Sequence, residues 1–238
     1  MGFLTVCYAL PMKLEAIRED AKAHALETLL EAVMRNRPAG AARARSGVCI
    51  GDLSDALTPV IARFCERAVQ IEPPVVPRYF KEHREDIDFV AWLESLEYIA
   101  DDRVALQQTH QVLRSGGTLV ISSAASRSLW SSRDVVAKRQ RRYERDELVA
   151  KLQSCGFQVE RATYFFKAIA PWERLALRAT DFLGSHPAQL TDSSASAGLV
   201  HRLQSLWVER ASEREVVLLR RADLDSGTHF FCVARKNS

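Results

Sequence analysis

Short apolar runs alternate with helix-length amphipathic stretches along this 238-residue chain. That alternation constrains the fold more than any other feature. Residues 12–35 place Leu14, Ile17, Ala21, Leu26, Leu29, Leu30 and Val33 at three- and four-residue steps, which predicts a helix with one buried face. Arg37-Pro38-Ala39-Gly40 stops it. Val48-Cys49-Ile50 reads as a strand ending at Gly51, residues 55–67 as a helix, and Ala68-Val69-Gln70-Ile71 as a strand ending at Glu72. Residues 87–92 form the next strand, and residues 101–113 a helix stopped by Ser115-Gly116-Gly117. Residues 118–122 are β-branched and apolar enough for a buried strand. A helix over 143–155 and a strand over 157–166 follow. Helical stretches at 170–184 and 199–210 flank a Ser/Ala-rich loop at 185–198, and residues 229–234 close the chain as a strand. Strands separated by helices predict a mostly parallel sheet covered on both faces.

Several functions are excluded by what the chain lacks. Its 10 glycines are few, and no two are spaced G-x-G. Neither an intact G-x-G-x-x-G fingerprint nor a Walker A loop is present. The net charge of +3 is too balanced to argue for a nucleic-acid partner. The 5 cysteines form no C-x-x-C pair and the 6 histidines no H-x-x-x-H. These read as reduced thiols of a cytosolic protein, with Cys49 a core thiol and no dedicated metal site. The uncharged stretch from Gly2 to Met12 is too short to span a bilayer and reads as a leading strand or a docking segment. Met12, where the charged helical pattern begins, is an alternative start.

Two stretches carry a specific likeness. The first is Leu96-Glu97-Tyr98-Ile99-Ala100-Asp101, then Ala105-Leu106, then His110-Gln111-Val112-Leu113-Arg114-Ser115-Gly116-Gly117-Thr118-Leu119-Val120-Ile121. The second is Arg141-Arg142-Tyr143, Glu147-Leu148, Leu152, Cys155-Gly156-Phe157, Val159 and Tyr164-Phe165-Phe166. Together with the closing Phe231-Cys232-Val233-Ala234-Arg235-Lys236 they resemble the class I S-adenosylmethionine (SAM) dependent methyltransferases, over about residues 86–166 and the tail. The resemblance implies an α/β Rossmann-like fold, a mostly parallel sheet with an antiparallel last strand, and a helical lid over 167–225 behind an N-terminal segment of 1–46.

It also implies a cofactor site. Gly51-Asp52-Leu53-Ser54-Asp55 stands where the family has G-x-G-x-G, so only Gly51 keeps its glycine. Asp52 or Asp55 is left to hold the cofactor's ammonium group, and Leu53 narrows the groove. Glu72, 21 residues after Gly51, ends its strand where an acidic residue binds a ribose diol; the alternative is a glutamate simply facing solvent. Trp92, Glu94, Glu97 and Tyr98 follow at the carboxyl end of the next strand, where open α/β sheets bind ligands. Tyr98 replaces the histidine common in the family, and a phenol is a poor base at neutral pH. Glu97 reads as a residue of the helix start. Ser122 and Ser123 either bind substrate or cap a loop. Residues 133–145 hold six basic side chains against Asp134 and Glu144. Within that patch Arg142 and Tyr143 are catalytic candidates if it faces the cleft; otherwise it is a solvated helix entrance. Trp172, Trp207, Phe182 and Leu183 either floor an apolar pocket or pack as core.

Residues 73–85 contain three prolines. Thirteen residues are too few for a helix, a strand and their loops, so the sheet is short by its third strand and the second strand lies at an exposed edge. A homo- or hetero-oligomeric partner, or the N-terminal apolar segment, is expected to cover that edge. Three functions remain open: a SAM-dependent methyltransferase acting on a small molecule or glycan intermediate, a catalytically inactive partner or scaffold subunit, and a methyltransferase fold repurposed for a non-methylating reaction.

Overall fold

The computed structural model of the protein describes residues 3–35, 44–51, 56–83, 86–175 and 195–237, with side chains described from Leu14 in the first helix and from Arg202 in the last. The elements run α1 (Phe3–Arg35), β1 (Ala44–Gly51), α2 (Leu57–Phe64), β2 (Cys65–Ile71), α3 (Val76–Glu82), β3 (Ile87–Leu93), α4 (Asp102–Val112), β4 (Leu113–Ala124), α5 (Ser132–Val136), α6 (Arg145–Ser154), β5 (Phe157–Phe165), α7 (170–175), α8 (Ala195–Leu219) and β6 (His229–Lys236). The six-stranded sheet has the order β2-β1-β3-β4-β6-β5. β2, β1, β3 and β4 pair in parallel, and β6 runs antiparallel to both its neighbours.

Burial explains the central strands. Every residue of β3 but Asp88 is buried, because helices cover both faces. Asp88 lies where β3 begins, and its carboxylate accepts from the Arg45 and Ser46 amides at 3.0 and 3.1 Å, fixing the start of β1. Leu57, Val60 and Ile61 of α2, Leu106 and Val112 of α4, and Leu148 and Leu152 of α6 are buried with the sheet aromatics Phe89, Trp92, Phe157, Phe165, Phe230 and Phe231. Asp101 caps α4 by accepting from the Val104 amide at 3.0 Å. α1 packs along α8.

Among its described residues, the bridge from β2 to β3 holds a 3-10 turn, Pro73–Val75, and the short helix α3, but no strand. β2 therefore lies at one edge of the sheet, and Glu66 to Gln70 are exposed on both faces.

Some boundaries differ from the sequence expectation. The apolar N-terminal stretch is helical from Phe3, not a strand. β1 starts at Ala44, and β2 takes Cys65 to Arg67 from the expected helix. Pairing against β1, Ala44 with Cys65 and Ser46 with Arg67, overrides helical propensity there. β4 begins at Leu113, ahead of the glycines expected to precede it. α8 includes residues 195–198 of the expected loop; residues 185–194 lie outside the described residues. No described helix is long and apolar enough to cross a membrane.

Candidate functional site

The parallel strands end together at one end of the sheet, and the strand order switches from one side of β1 to the other between β2 and β3. Ligands of open α/β sheets bind at this switch point. Gly51 closes β1 with φ +104°. A Cβ there would lie 2.2 Å from the Leu93 carbonyl oxygen and 2.7 Å from Ser95 Cβ. Only glycine tolerates both the dihedral and the approach. The Ser95 hydroxyl donates to the Ile50 carbonyl at 2.8 Å and ties the two strand ends together. One strand over, Ile71 pairs with Ile50, which sets Glu72 beside Gly51. Glu72 is exposed, and among the described residues its carboxylate has no partner. Asp52, Leu53 and Asp55 lie outside the described residues.

Beyond β3 a polar cluster gathers under α1. Glu94 follows β3 in a left-handed conformation, φ 45°. Its carboxylate pairs with the Lys22 ammonium, which also reaches Glu19. Burial alone would pull the Lys22 ammonium down, but Glu94 and Glu19 outweigh it and hold it above the ordinary lysine value. His229, at the start of β6, shares a hydrogen bond of 2.8 Å with the Ser122 hydroxyl and lies 4.0 Å from Glu94 Oε1. Glu97 is fully buried, accepting from the Ser123 hydroxyl at 2.9 Å and the Ala124 amide at 3.3 Å. Burial pushes its carboxyl above the usual range, and the nearby Glu94 charge adds to this.

Burial, aided by the charges of Lys22, Arg18, Arg139 and Arg142, holds the His229 imidazole well below its ordinary value. The folded protein therefore keeps His229 neutral while the unfolded chain protonates it below about 6.5. The unfolded state then binds the extra proton, so stability falls as pH drops through 6.5, by up to about 1.4 kcal/mol per pH unit. The loss continues until the folded-state value is reached. Urea unfolding from pH 7 down to pH 5 is expected to show a shallower slope in His229→Gln than in wild type; equal slopes would remove His229 as the source.

The sequence-derived candidates separate. Tyr98 accepts a hydrogen bond from Arg139 at 3.0 Å, and the guanidinium sits over its ring. Arg139 Nε is buried without a hydrogen-bond partner among the described residues, 3.8 Å from Glu97 Oε1. Trp92 is instead a core residue: its ring is fully buried and its indole donates to Thr109 at 3.1 Å. It presents no surface to a cofactor. Tyr143 is likewise fully buried, donating to Asp102 at 2.7 Å beside Lys151 and Arg141. Burial and the Asp102 carboxylate push its phenol far above the ordinary value. Arg142 donates to both Asp134 oxygens, at 3.0 and 3.2 Å, and to the Ala125 carbonyl at 3.1 Å. Arg142 and Tyr143 thus hold the framework in this structure.

Cys49 is buried, which pushes its thiol up to about 12. Trp172 and Trp207 meet edge to face at 6.4 Å and are both exposed; Phe182 and Leu183 lie outside the described residues. Among those residues no group of His, Cys, Asp and Glu could hold a metal.

Lys22 escaped the sequence reading. A signal was present: it precedes Leu26, Leu29 and Val33 by four, seven and eleven residues, so it continues the apolar stripe of α1 as a cation. His229 and Ser122 are 107 residues apart and carried no pairing signal.

No family model matches the sequence, and no curated protein matches it. Solved structures do match the fold. A Haloferax volcanii protein assigned as a methyltransferase, solved with the Trm112 methyltransferase activator, aligns with a TM-score of 0.51 at 13% identity over 94% of each chain. Haemonchus contortus phosphoethanolamine N-methyltransferase 2, solved with S-adenosyl-L-methionine, aligns with a TM-score of 0.47 at 18% identity, over 88% of this chain and 52% of that one. A SAM-dependent methyltransferase from Archaeoglobus fulgidus aligns with a TM-score of 0.42 at 16% identity, over 81% and 86%. An antiparallel β6 slotted between β4 and β5, beside strands that reverse order at Gly51, gives this chain the fold of the class I methyltransferases.

Proposed function

We propose that the chain is a SAM-dependent methyltransferase acting on a small molecule or glycan intermediate. One observation carries the reading: Gly51 makes a left-handed turn at the strand switch point, beside the Glu72 carboxylate, which has no partner among the described residues. SAM, when bound, supplies an electrophilic methyl group for in-line displacement. Glu72 would hold its ribose diol with charge-assisted hydrogen bonds, and Gly51 would let the backbone approach it. Asp52 and Asp55 are candidates for its ammonium group. The acceptor lies over the cluster of Glu94, Ser122 and His229, with Tyr98 at its side. His229, held neutral, shares a hydrogen bond with the Ser122 hydroxyl and orients it toward the acceptor.

A partner on the β2 edge completes the proposal. That edge exposes its backbone groups, and the Haloferax neighbour was solved with an activator protein. A second reading, an inactive partner or scaffold subunit, is favoured by Lys22, whose ammonium already occupies Glu94.

Calorimetry with SAM and S-adenosylhomocysteine separates the two. The first reading expects saturable heat in the micromolar to millimolar range; no heat at millimolar cofactor leaves the second. Glu72→Ala is expected to weaken SAM binding roughly 10- to 100-fold, the loss of charged hydrogen bonds. The exposed position predicts an unchanged melting temperature. Unaltered affinity would remove the ribose assignment.

A further inference from the structure

The segment between β4 and α6 is a prong that sets exposed apolar side chains among cations. α5 turns only one side chain inward. That residue, Asp134, is fully buried. It accepts from the Ser131 amide at 2.9 Å and from Arg142 at 3.0 Å, and it also pairs with Arg139. The Gln140 amide donates to the Glu97 carbonyl at 2.9 Å, which fastens the base of the prong to the site end of the sheet. Lys138 turns the chain with φ 56°, and the following Arg139 amide donates to the Asp134 carbonyl at 2.9 Å.

This rigid mount holds apolar side chains in water. Trp130, Val135 and Val136 are 42%, 63% and 83% exposed. Between them and just beyond stand Arg133 and Lys138, both exposed, and neither makes an ion pair among the described residues. The prong, residues 126–143, has a single acidic residue, and it is the buried Asp134. Its exposed charge is thus wholly positive, in a chain of net charge only +3.

We infer that this prong docks the protein on the surface of an anionic lipid bilayer. The cations match anionic headgroups, an indole settles at the boundary of headgroup and hydrocarbon, and the two valines gain from leaving water. Nucleic acid fits less well, because phosphates offer nothing to paired aliphatic side chains. The inference stands apart from methyl transfer and does not require SAM.

Co-sedimentation with phosphatidylcholine vesicles, with and without phosphatidylglycerol, tests it on the full chain. Binding is expected only with phosphatidylglycerol and is expected to weaken as salt rises. Arg133→Ala with Lys138→Ala should lower the partition coefficient roughly 25-fold, at about fivefold per cation removed. Val136→Asp should lower it at least about tenfold, with the melting temperature unchanged because the position is exposed. No binding to phosphatidylglycerol vesicles, or wild-type binding by both variants, overturns the inference. So does a fluorescence-anisotropy result in which an RNA oligomer binds tightly, the vesicles do not, and the same variants lose the RNA.

Discussion

Gly51→Ala is expected to unfold at markedly lower temperature and to bind no SAM. The left-handed dihedral of +104° alone costs an L residue a few kcal/mol at most, about 1–3. The new methyl would also meet the Leu93 carbonyl oxygen at 2.2 Å. Backbone atoms of a central strand cannot give way as a flexible side chain can. At 2–4 °C per kcal/mol for a domain of this size, a loss of about 3 kcal/mol lowers the melting temperature by roughly 6–12 °C. Differential scanning calorimetry of the variant, beside Ser95→Ala as a milder control on the same junction, checks it. A melting temperature within a degree or so of wild type would mean that the junction of β1 and β3 relaxes and that Gly51 is not required.

Asp134→Ala should be as damaging for a different reason. Arg139 and Arg142 are largely buried, and Asp134 is the anion they share. Removing one side of a buried ion pair strands the other, at a cost of about 3–5 kcal/mol. Asp134→Asn keeps the shape and one acceptor and is expected to recover part of the loss. Acid unfolding gives a second readout. Burial alone would push the Asp134 carboxyl up, but hydrogen bonds from Arg139 and Arg142 outweigh it and hold the group below the usual 3.8. Its contribution is therefore complete above that value and disappears as pH falls through the lower folded-state one. The acid limb of Asp134→Asn should be flatter than that of wild type. If Asp134→Ala melts with wild type, the prong is held by other contacts, and its rigidity loses its basis.

Much of the architecture was legible because local chemistry and tertiary role coincide. The run at Ile87 to Trp92 reads as a strand, and β3 lies there with all but Asp88 of its residues buried. The prolines at 73, 74 and 77 announced a bridge too short for another strand, and its described residues form a 3-10 turn and a short helix. Where pairing decides, the pattern misled. Cys65, Glu66 and Arg67 look helical, yet β1 recruits them. The site was less legible. Arg142 and Tyr143 carry the family-like motif, but their polar atoms are spent on Asp134 and Asp102. Trp92 occupies a strand end in sequence while its ring lies in the core. Lys22 and His229 approach Glu94 from opposite ends of the chain, and composition holds no trace of such a meeting.

β6 has one further consequence. It joins β4 to β5, with Leu119 and Val159 both facing Ala234. Four of the six strands can pair before β6 emerges from the ribosome, but β5 has no neighbour among the strands until then. Removing residues 229–236 would leave a raw flank on β4 and orphan β5 altogether. That segment must thread between two waiting edges before this molecule becomes one cooperative body.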